Sequence, residues 1–270
     1  MSNYVNLADI VAPEKLQIIE SYQQESAFVT ESVIRGKTLR YNTQSKRQLW
    51  QAVGLEHIEP ELLDYIDSLP QGAIFYDIGA STGIFSVYAK NCGLNVYAFE
   101  PEAQNFSLLE KNNYLNFATP HGSLSTFNIA LAESVGIGKM YIASYEAAGH
   151  MKILDTPKKV QEEEEFQPSY VQNVLRYSLD HLLEEFDLPC PEHIKIDVDG
   201  SELALIKGAE KTLANQKIKS IFIELDDTSE HSAQIKFILL SNNFKEILKY
   251  QVQHYAGLYN YIFERTSSAD

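Results

Sequence analysis

From Gly72 onward, short apolar runs that end in glycine, proline or an acid alternate with segments whose apolar positions recur at helical spacing. That alternation predicts parallel strands joined by crossover helices. The predicted strands cover 74–78, 95–99, 126–130, 193–198 and 220–225, and the helices between them cover 84–91, 102–114, 201–213 and 232–242. Several strands are apolar on consecutive residues, as a strand covered by helices on both faces requires. Two last strands, 244–249 and 259–264, are joined closely enough to pair antiparallel at the end of the sheet. The expected fold is therefore a Rossmann-like α/β sheet, mostly parallel, with an antiparallel final strand.

Residues 1–70 read differently, with helical spacing over 13–22 and 58–69 and one alternating stretch at 38–41. They are expected to form a helical N-terminal appendage, in which Trp50 packs, leaving 71–270 as the main domain. An insertion near 143–170 breaks the rhythm of that domain. Gly149, Pro157, Pro168 and the acidic run 162–165 make it too long and polar for an ordinary turn, so it is either a lid or a surface loop.

Charge and cysteine usage narrow the partners. A formal net charge of −15 over 270 residues opposes general binding to nucleic acid or anionic lipid, which rests on summed Lys and Arg attraction. Cys92 and Cys190 have neither zinc-site spacing nor disulfide density, and no signal-peptide layout or spanning apolar run occurs, so a cytoplasmic setting is expected. A homo-oligomer is compatible with this composition.

The stretch from Phe75 to Ser86 carries the chemistry: a strand enters a loop with Gly79 and Gly83, and a helix follows at once. Such a loop turns backbone amides and a helix N-terminus toward a ligand, and Gly79 is expected to clear space for it. Asp77 would orient an ammonium group or hold water against it. The next strand ends in Glu100-Pro101, about twenty residues on, where this class of fold places a carboxylate for a ribose diol. A dinucleotide enzyme would use the same acid, but Ala80, Ser81 and Thr82 replace the Gly-x-Gly-x-x-Gly spacing that seats a pyrophosphate. S-adenosylmethionine, which has no phosphates, fits the loop better than NAD.

These residues resemble the FkbM family of methyltransferases, from about Ala73 to Asp226. The matching pieces are Asp77-Ile78-Gly79-Ala80-Ser81-Thr82-Gly83, Ala98-Phe99-Glu100-Pro101, Asn128-Ile129-Ala130-Leu131, and Ile194-Lys195-Ile196-Asp197-Val198-Asp199-Gly200-Ser201-Glu202 with Lys207-Gly208-Ala209. The resemblance implies a class I methyltransferase sheet and transfer of a methyl group from S-adenosylmethionine, generally to an oxygen of a sugar, a glycan or a small-molecule metabolite. It carries cofactor binding to Asp77, Gly79, Ala80, Ser81, Gly83, Glu100 and Pro101, and places Asn128, Ile129 and Ala130 beside the adenine. Ser81 stands where many members have asparagine, and Asp199 where many have glutamate.

A hydroxyl acceptor must be aligned with the methyl group and must lose a proton. Strand ends of an open parallel sheet face the ligand crevice, so Asp197, which is also expected to touch the cofactor, Asp199 and Glu224 are catalytic candidates. Glu202 and Asp199 also suit the first turn of a helix. His150, within the insertion, is the histidine expected to reach the site as a proton acceptor. No ligand set for a metal is expected. The competing readings are a catalytically silent adenosyl-binding module and an NAD-linked dehydrogenase.

Overall fold

The computed structural model describes residues 11–23, 28–119, 121–149, 151–158, 165–253 and 255–266. The N-terminal part contains α1 (Pro13–Gln23), the hairpin β1 (Val29–Ile34) and β2 (Lys37–Asn42), α2 (Lys46–Ile58) and α3 (Pro60–Ser68). The expected helical appendage thus has a two-stranded sheet at its centre. The free edge of β2 is closed by asparagines of the main domain. Asn116 accepts from the Arg40 amide at 3.0 Å and donates to its carbonyl at 2.7 Å, while Asn112 accepts from the Asn42 amide at 2.7 Å. Leu39, Tyr41, Leu55, Leu62 and Ile66 then share one core with Phe75, Val87 and Val96. Trp50, expected to pack, is 55% exposed.

The main sheet begins with β3 (Ile74–Ile78), α4 (Ile84–Asn91), β4 (Asn95–Phe99), α5 (Ala103–Leu115) and β5 (Ser123–Phe127). β5 lies three residues earlier than expected, because its register with β4 runs from Asn95 against Ser123 to Phe99 against Phe127. Asn128 then leaves the sheet and donates to the carbonyls of Glu100 and Pro101 at 2.9 and 3.1 Å. Next come β6 (Ala130–Leu131), β7 (Gly136–Ile142), β8 (Lys152–Leu154) and β9 (Tyr170–Tyr177), a separate four-stranded sheet ordered β6-β9-β7-β8. The expected insertion is therefore anchored in a small sheet rather than being one long loop.

The chain returns through α6 (Leu179–Phe186), β10 (His193–Ile196), α7 (Glu202–Lys207), α8 (Glu210–Ala214), β11 (Ser220–Asp226), α9 (Glu230–Ser241), β12 (Phe244–Gln251) and β13 (Leu258–Arg265). The single helix expected over 201–213 breaks at Gly208, where a Cβ would lie 2.1 Å from the Ala132 carbonyl oxygen. The main sheet is ordered β12-β13-β11-β10-β3-β4-β5, parallel from β11 to β5. β13 pairs antiparallel with β12, as expected, but also inserts against β11 and is no edge strand.

Chain order reverses between β3 and β10, and in such sheets a crevice opens above that point. One face of the sheet carries an aromatic layer, with Tyr76 5.1 Å from Tyr97 and Phe99 5.0 Å from Phe127 between ring centres. The other face, toward α4, carries Asp77, and all eight residues of α4 are buried beneath the N-terminal part. Among the described residues no helix is long and apolar enough to cross a membrane.

Candidate active site

Above the switch between β3 and β10 lies a cleft of about 1110 Å³, counting its open mouth. Gly79, Ala80, Ser81, Glu100, Pro101, Ile129, Ala130, Asp197 and Asp199 all line it, which brings together most residues singled out from the sequence. Asp77, Gly83, Asn128 and Glu224 stand behind its walls. His150 lies outside the described residues.

The two loop glycines are required by the protein itself. Gly79 has φ +79°, and a Cβ there would sit 1.7 Å from the carbonyl oxygen of Asp197. Gly83, at φ +77°, would meet Leu109 Cδ1 at 2.2 Å. The expectation that Gly79 clears room for a ligand is corrected, because the room is already filled by the end of β10. The loop amides are engaged as well. Gly79 and Ala80 both donate to the Phe99 carbonyl at 3.0 Å, and Gly83 donates to that of Ala80 at 2.8 Å. An anion would have to use other donors of the helix start.

Ser81, at φ 51°, turns its amide to Glu100 Oε2 at 2.8 Å, while Oε1 accepts from the Glu102 amide, also at 2.8 Å. The Glu100 carboxylate is thus fixed at the cleft wall with one lone pair on each oxygen still available. Burial raises its pKa to about 7 against the pull of those two amides and the nearby Lys152 charge. Glu102 in turn caps α5, accepting from Gln104 and Asn105 at 3.0 and 2.9 Å.

Asp77 is 1% exposed and does not reach the cleft surface. It accepts from Ser86 Oγ at 2.5 Å and faces Lys195 Nζ at 3.2 Å. Lys195 also donates to the Gly79 carbonyl at 2.9 Å and approaches Asp197 at 3.5 Å. Burial works against its charge, but Asp77, Asp197 and Glu59 together hold its pKa above the usual lysine value. Asp77 is thus joined to the cleft wall through Lys195 and does not itself line the cleft. Asp197, with its side chain 38% exposed, is the member of this chain that faces the open cleft.

At the far end, Glu59 lines the cleft from the junction of α2 and α3, while Glu202, at the start of α7, and Glu224, on β11, are not part of its lining. Burial first, then the charge of Asp197, raises Glu59 to about 8 and Glu224 to about 9. Glu202 rises to about 7 although its Oε1 accepts from the Gly200 amide at 3.0 Å. Asp199, at φ 47°, accepts from the Lys152 amide at 3.2 Å. Among the described residues no cluster of His, Cys, Asp and Glu is arranged to hold a metal ion.

The insertion forms part of the wall. Ala148, Gly149, Lys152 and Leu154 line the cleft, and Lys152 Nζ is buried against Glu102 at 2.6 Å and Asn105 at 3.0 Å. Asn105 also accepts from the Ala148 amide at 2.8 Å. These bonds pin β8 and the turn before it to the start of α5.

Sequence reasoning missed Lys195, Lys152 and Glu59 as site residues. Lys195 did leave a signal: a lysine inside a strand expected to be buried on both faces needs an acidic partner. Glu59 and Lys152 left none, since one precedes a helix-starting proline and the other lies in a polar stretch.

The profile of the Methyltransferase FkbM domain family matches residues 77–257. Hexuronic acid methyltransferase AglP of Haloferax volcanii is 22% identical over 192 residues, covering 71% of this chain and 72% of that protein. Among solved structures, methyltransferase FkbM from Methylobacillus flagellatus KT is similar with a TM-score of 0.46 at 14% identity, over 92% of this chain and 60% of its own. Magnesium protoporphyrin IX methyltransferase of Synechocystis PCC 6803 gives a TM-score of 0.48 at 9% identity, over 83% of this chain and 86% of its own.

Proposed function

Because this chain belongs to the FkbM methyltransferase family, and is thereby a methyltransferase that uses S-adenosylmethionine, we propose that its acceptor is a hydroxyl of a sugar, a glycan or another polar small molecule. The observation that carries this reading is the gathering of carboxylates where β10 and β11 end, beside a cleft open to solvent.

The residues present suit the methyl donor. Glu100 holds two acceptor positions toward a ribose diol, and Phe99, Ile129 and Leu131 offer an apolar wall for a purine. Asp197 and Glu59 favour a ligand whose sulfonium and ammonium charges outnumber its carboxylate, and they disfavour the pyrophosphate of NAD. When bound, S-adenosylmethionine supplies an electrophilic methyl group. Asp197 is the candidate to take the acceptor's proton, because it faces the cleft and Lys195 fixes its position. Lys152 and its partners hold the wall that keeps water from one side of the reaction.

A hexuronic acid methyltransferase among the relatives supports a sugar acceptor. Calorimetry with S-adenosylhomocysteine and with NAD tests the donor, and release of S-adenosylhomocysteine in the presence of sugars tests the acceptor. A product heavier by one methylene, with the label on oxygen by fragmentation, is expected. Tight NAD binding without S-adenosylhomocysteine binding would sink the donor reading, and a protein or RNA as the sole acceptor would sink the sugar reading.

A further inference from the structure

We propose a second ligand site, at the opposite end of the sheet from the cleft, that takes a small organic acid whose carboxylate accepts from His193 Nε2 and whose apolar body lies on Leu69, Pro70 and Ile218.

A cavity of about 890 Å³, counting its open mouth, lies where β10 and β11 begin. His193 and Ser220, the first residues of those strands, are paired in register and line it together with Tyr65 of α3. Tyr65 and His193 are each 5% exposed, and Ser220 is 4% exposed. Ser220 Oγ stands 2.6 Å from the Tyr65 hydroxyl and 2.6 Å from His193 Nδ1. The three side chains thus form one buried chain of hydrogen bonds.

The direction of that chain follows from its protons. Ser220 is the partner of the Tyr65 hydroxyl among the described residues, so the phenol proton is satisfied when Tyr65 donates to Ser220. Ser220 then donates to Nδ1, and the imidazole carries its own proton on Nε2. The ring is neutral at neutral pH, because burial and the charge of Lys219 push its pKa down to about 4 against the opposing pull of Glu192. Nε2 is buried and has no hydrogen-bond partner among the described residues. With Nδ1 taken by Ser220, the Nε2–H is the donor left for an occupant, and a buried donor without an acceptor is unfavourable.

Charge selects the kind of acceptor. Among the described residues lining the cavity the cations are Lys219 and Arg265, and the acid is Glu264. Lys219 is matched by Glu192 at 2.6 Å. Arg265 instead donates to the carbonyls of Ile218, Asn242, Leu213 and Asn215 at 2.6 to 3.1 Å and pairs with no acid among the described residues. Carbonyls satisfy its N–H groups but leave its unit charge without a counter-charge. A carboxylate supplies the missing charge and the missing acceptor at once, whereas Glu264 on the wall disfavours a doubly charged phosphate. Leu69, Pro70 and Ile218 add an apolar surface for the rest of the acid.

The test uses the full chain with isotopically labelled histidine, sodium hexanoate and sodium benzoate as probes, and hexanamide and benzamide as their neutral matches. His193→Phe identifies the His193 resonances. Without ligand, long-range proton–nitrogen spectra at neutral pH should show His193 as the neutral Nε2–H tautomer. Each acid should shift the Nε2 resonance and bind about tenfold or more tightly than its amide, the order expected when a hydrogen bond gains a charged acceptor. Leu69→Trp, which fills the cavity and keeps His193 with its partners, should abolish the shift once circular dichroism has shown it folded. The tautomer and the comparison of acid with amide are read on the wild-type chain, so neither depends on a variant folding. An Nδ1–H tautomer overturns the proposal, as does equal binding of acid and amide or no shift with either acid. So does a shift that persists in folded Leu69→Trp, which would place the acid elsewhere, or a crystal soaked in hexanoate that shows only an ordered water at Nε2.

Discussion

Glu100, at one end of the cleft, receives two backbone amides from its own loop and helix start, whereas Glu59, at the other end, faces chiefly other acids. The first is held in place by neighbours within about twenty positions of sequence. The second belongs to a group assembled from the N-terminal part, β10, α7 and β11. A site shared by all members of a family can be built locally, while the region that distinguishes acceptors can be built from whatever segments the fold brings together.

The largest expected effect lies on the local side. Gly79→Val places a branched side chain at φ +79° and into the Asp197 carbonyl, so it should lower folding stability by about 4 kcal/mol or more, measured by chemical denaturation. A folded variant of near-normal stability that only loses cofactor would restore the reading in which the glycine serves the ligand.

Lys195→Met should come next. It leaves Asp77 buried with its Ser86 bond but no counter-charge, a loss of about 3 to 5 kcal/mol. Turnover should fall with stability, since Asp197 loses the group that positions it. Unchanged stability would mean that Asp77 does not need Lys195 as its counter-charge, and the link between the two ends of the cleft would break.

Glu100→Ala removes acceptor positions for the ribose, each charge-assisted bond contributing about 1.5 to 3 kcal/mol. Affinity for S-adenosylhomocysteine should drop tenfold or more in calorimetry. The wild type should show its own pH dependence. With the Glu100 pKa raised to about 7, protonation below that value removes the acceptor, so affinity should weaken as pH falls toward 6 and stay flat above 8. Glu100→Gln should abolish that dependence, and a variant that kept it would assign the titration to another group.

How much of this was legible follows the same division. The strands β3, β4, β10 and β11 and the loop between β3 and α4 announce themselves, because a doubly covered parallel strand must be apolar and its ligand loop must turn sharply. Glu100 follows from spacing along the chain. β7 and β9 did not show, since a small half-exposed sheet alternates weakly and its members are separated by a long polar stretch. The break at Gly208 was hidden for a different reason, as only the approach of the Ala132 carbonyl requires it. Nor could pattern reveal that the loop amides are already engaged, or that Glu59 joins Asp197 in lining the cleft, because both are facts of tertiary contact.

The smallest effect is expected where the sequence pointed to a lid. Within the insertion, Ala148, Lys152 and Leu154 line the cleft, and Lys152 is held by a buried pair to Glu102. Lys158 and Glu165, farther along, are bridged antiparallel to each other. A two-residue Asn-Gly turn can join such a bridge, so replacing 159–164 by that turn keeps Ala148, Lys152 and Leu154 while removing three of the four acids of the run 162–165. Stability and affinity for S-adenosylhomocysteine should both stay within about 0.5 kcal/mol of wild type. Lys152→Met should separate from this at once, because it leaves Glu102 buried without its cation and frees β8 from α5. Hydrogen exchange would then rise over 148–154 in that variant and stay unchanged in the shortened chain. If instead the shortened chain loses acceptor affinity tenfold, residues 159–164 contribute to acceptor binding and the insertion serves the site beyond Leu154.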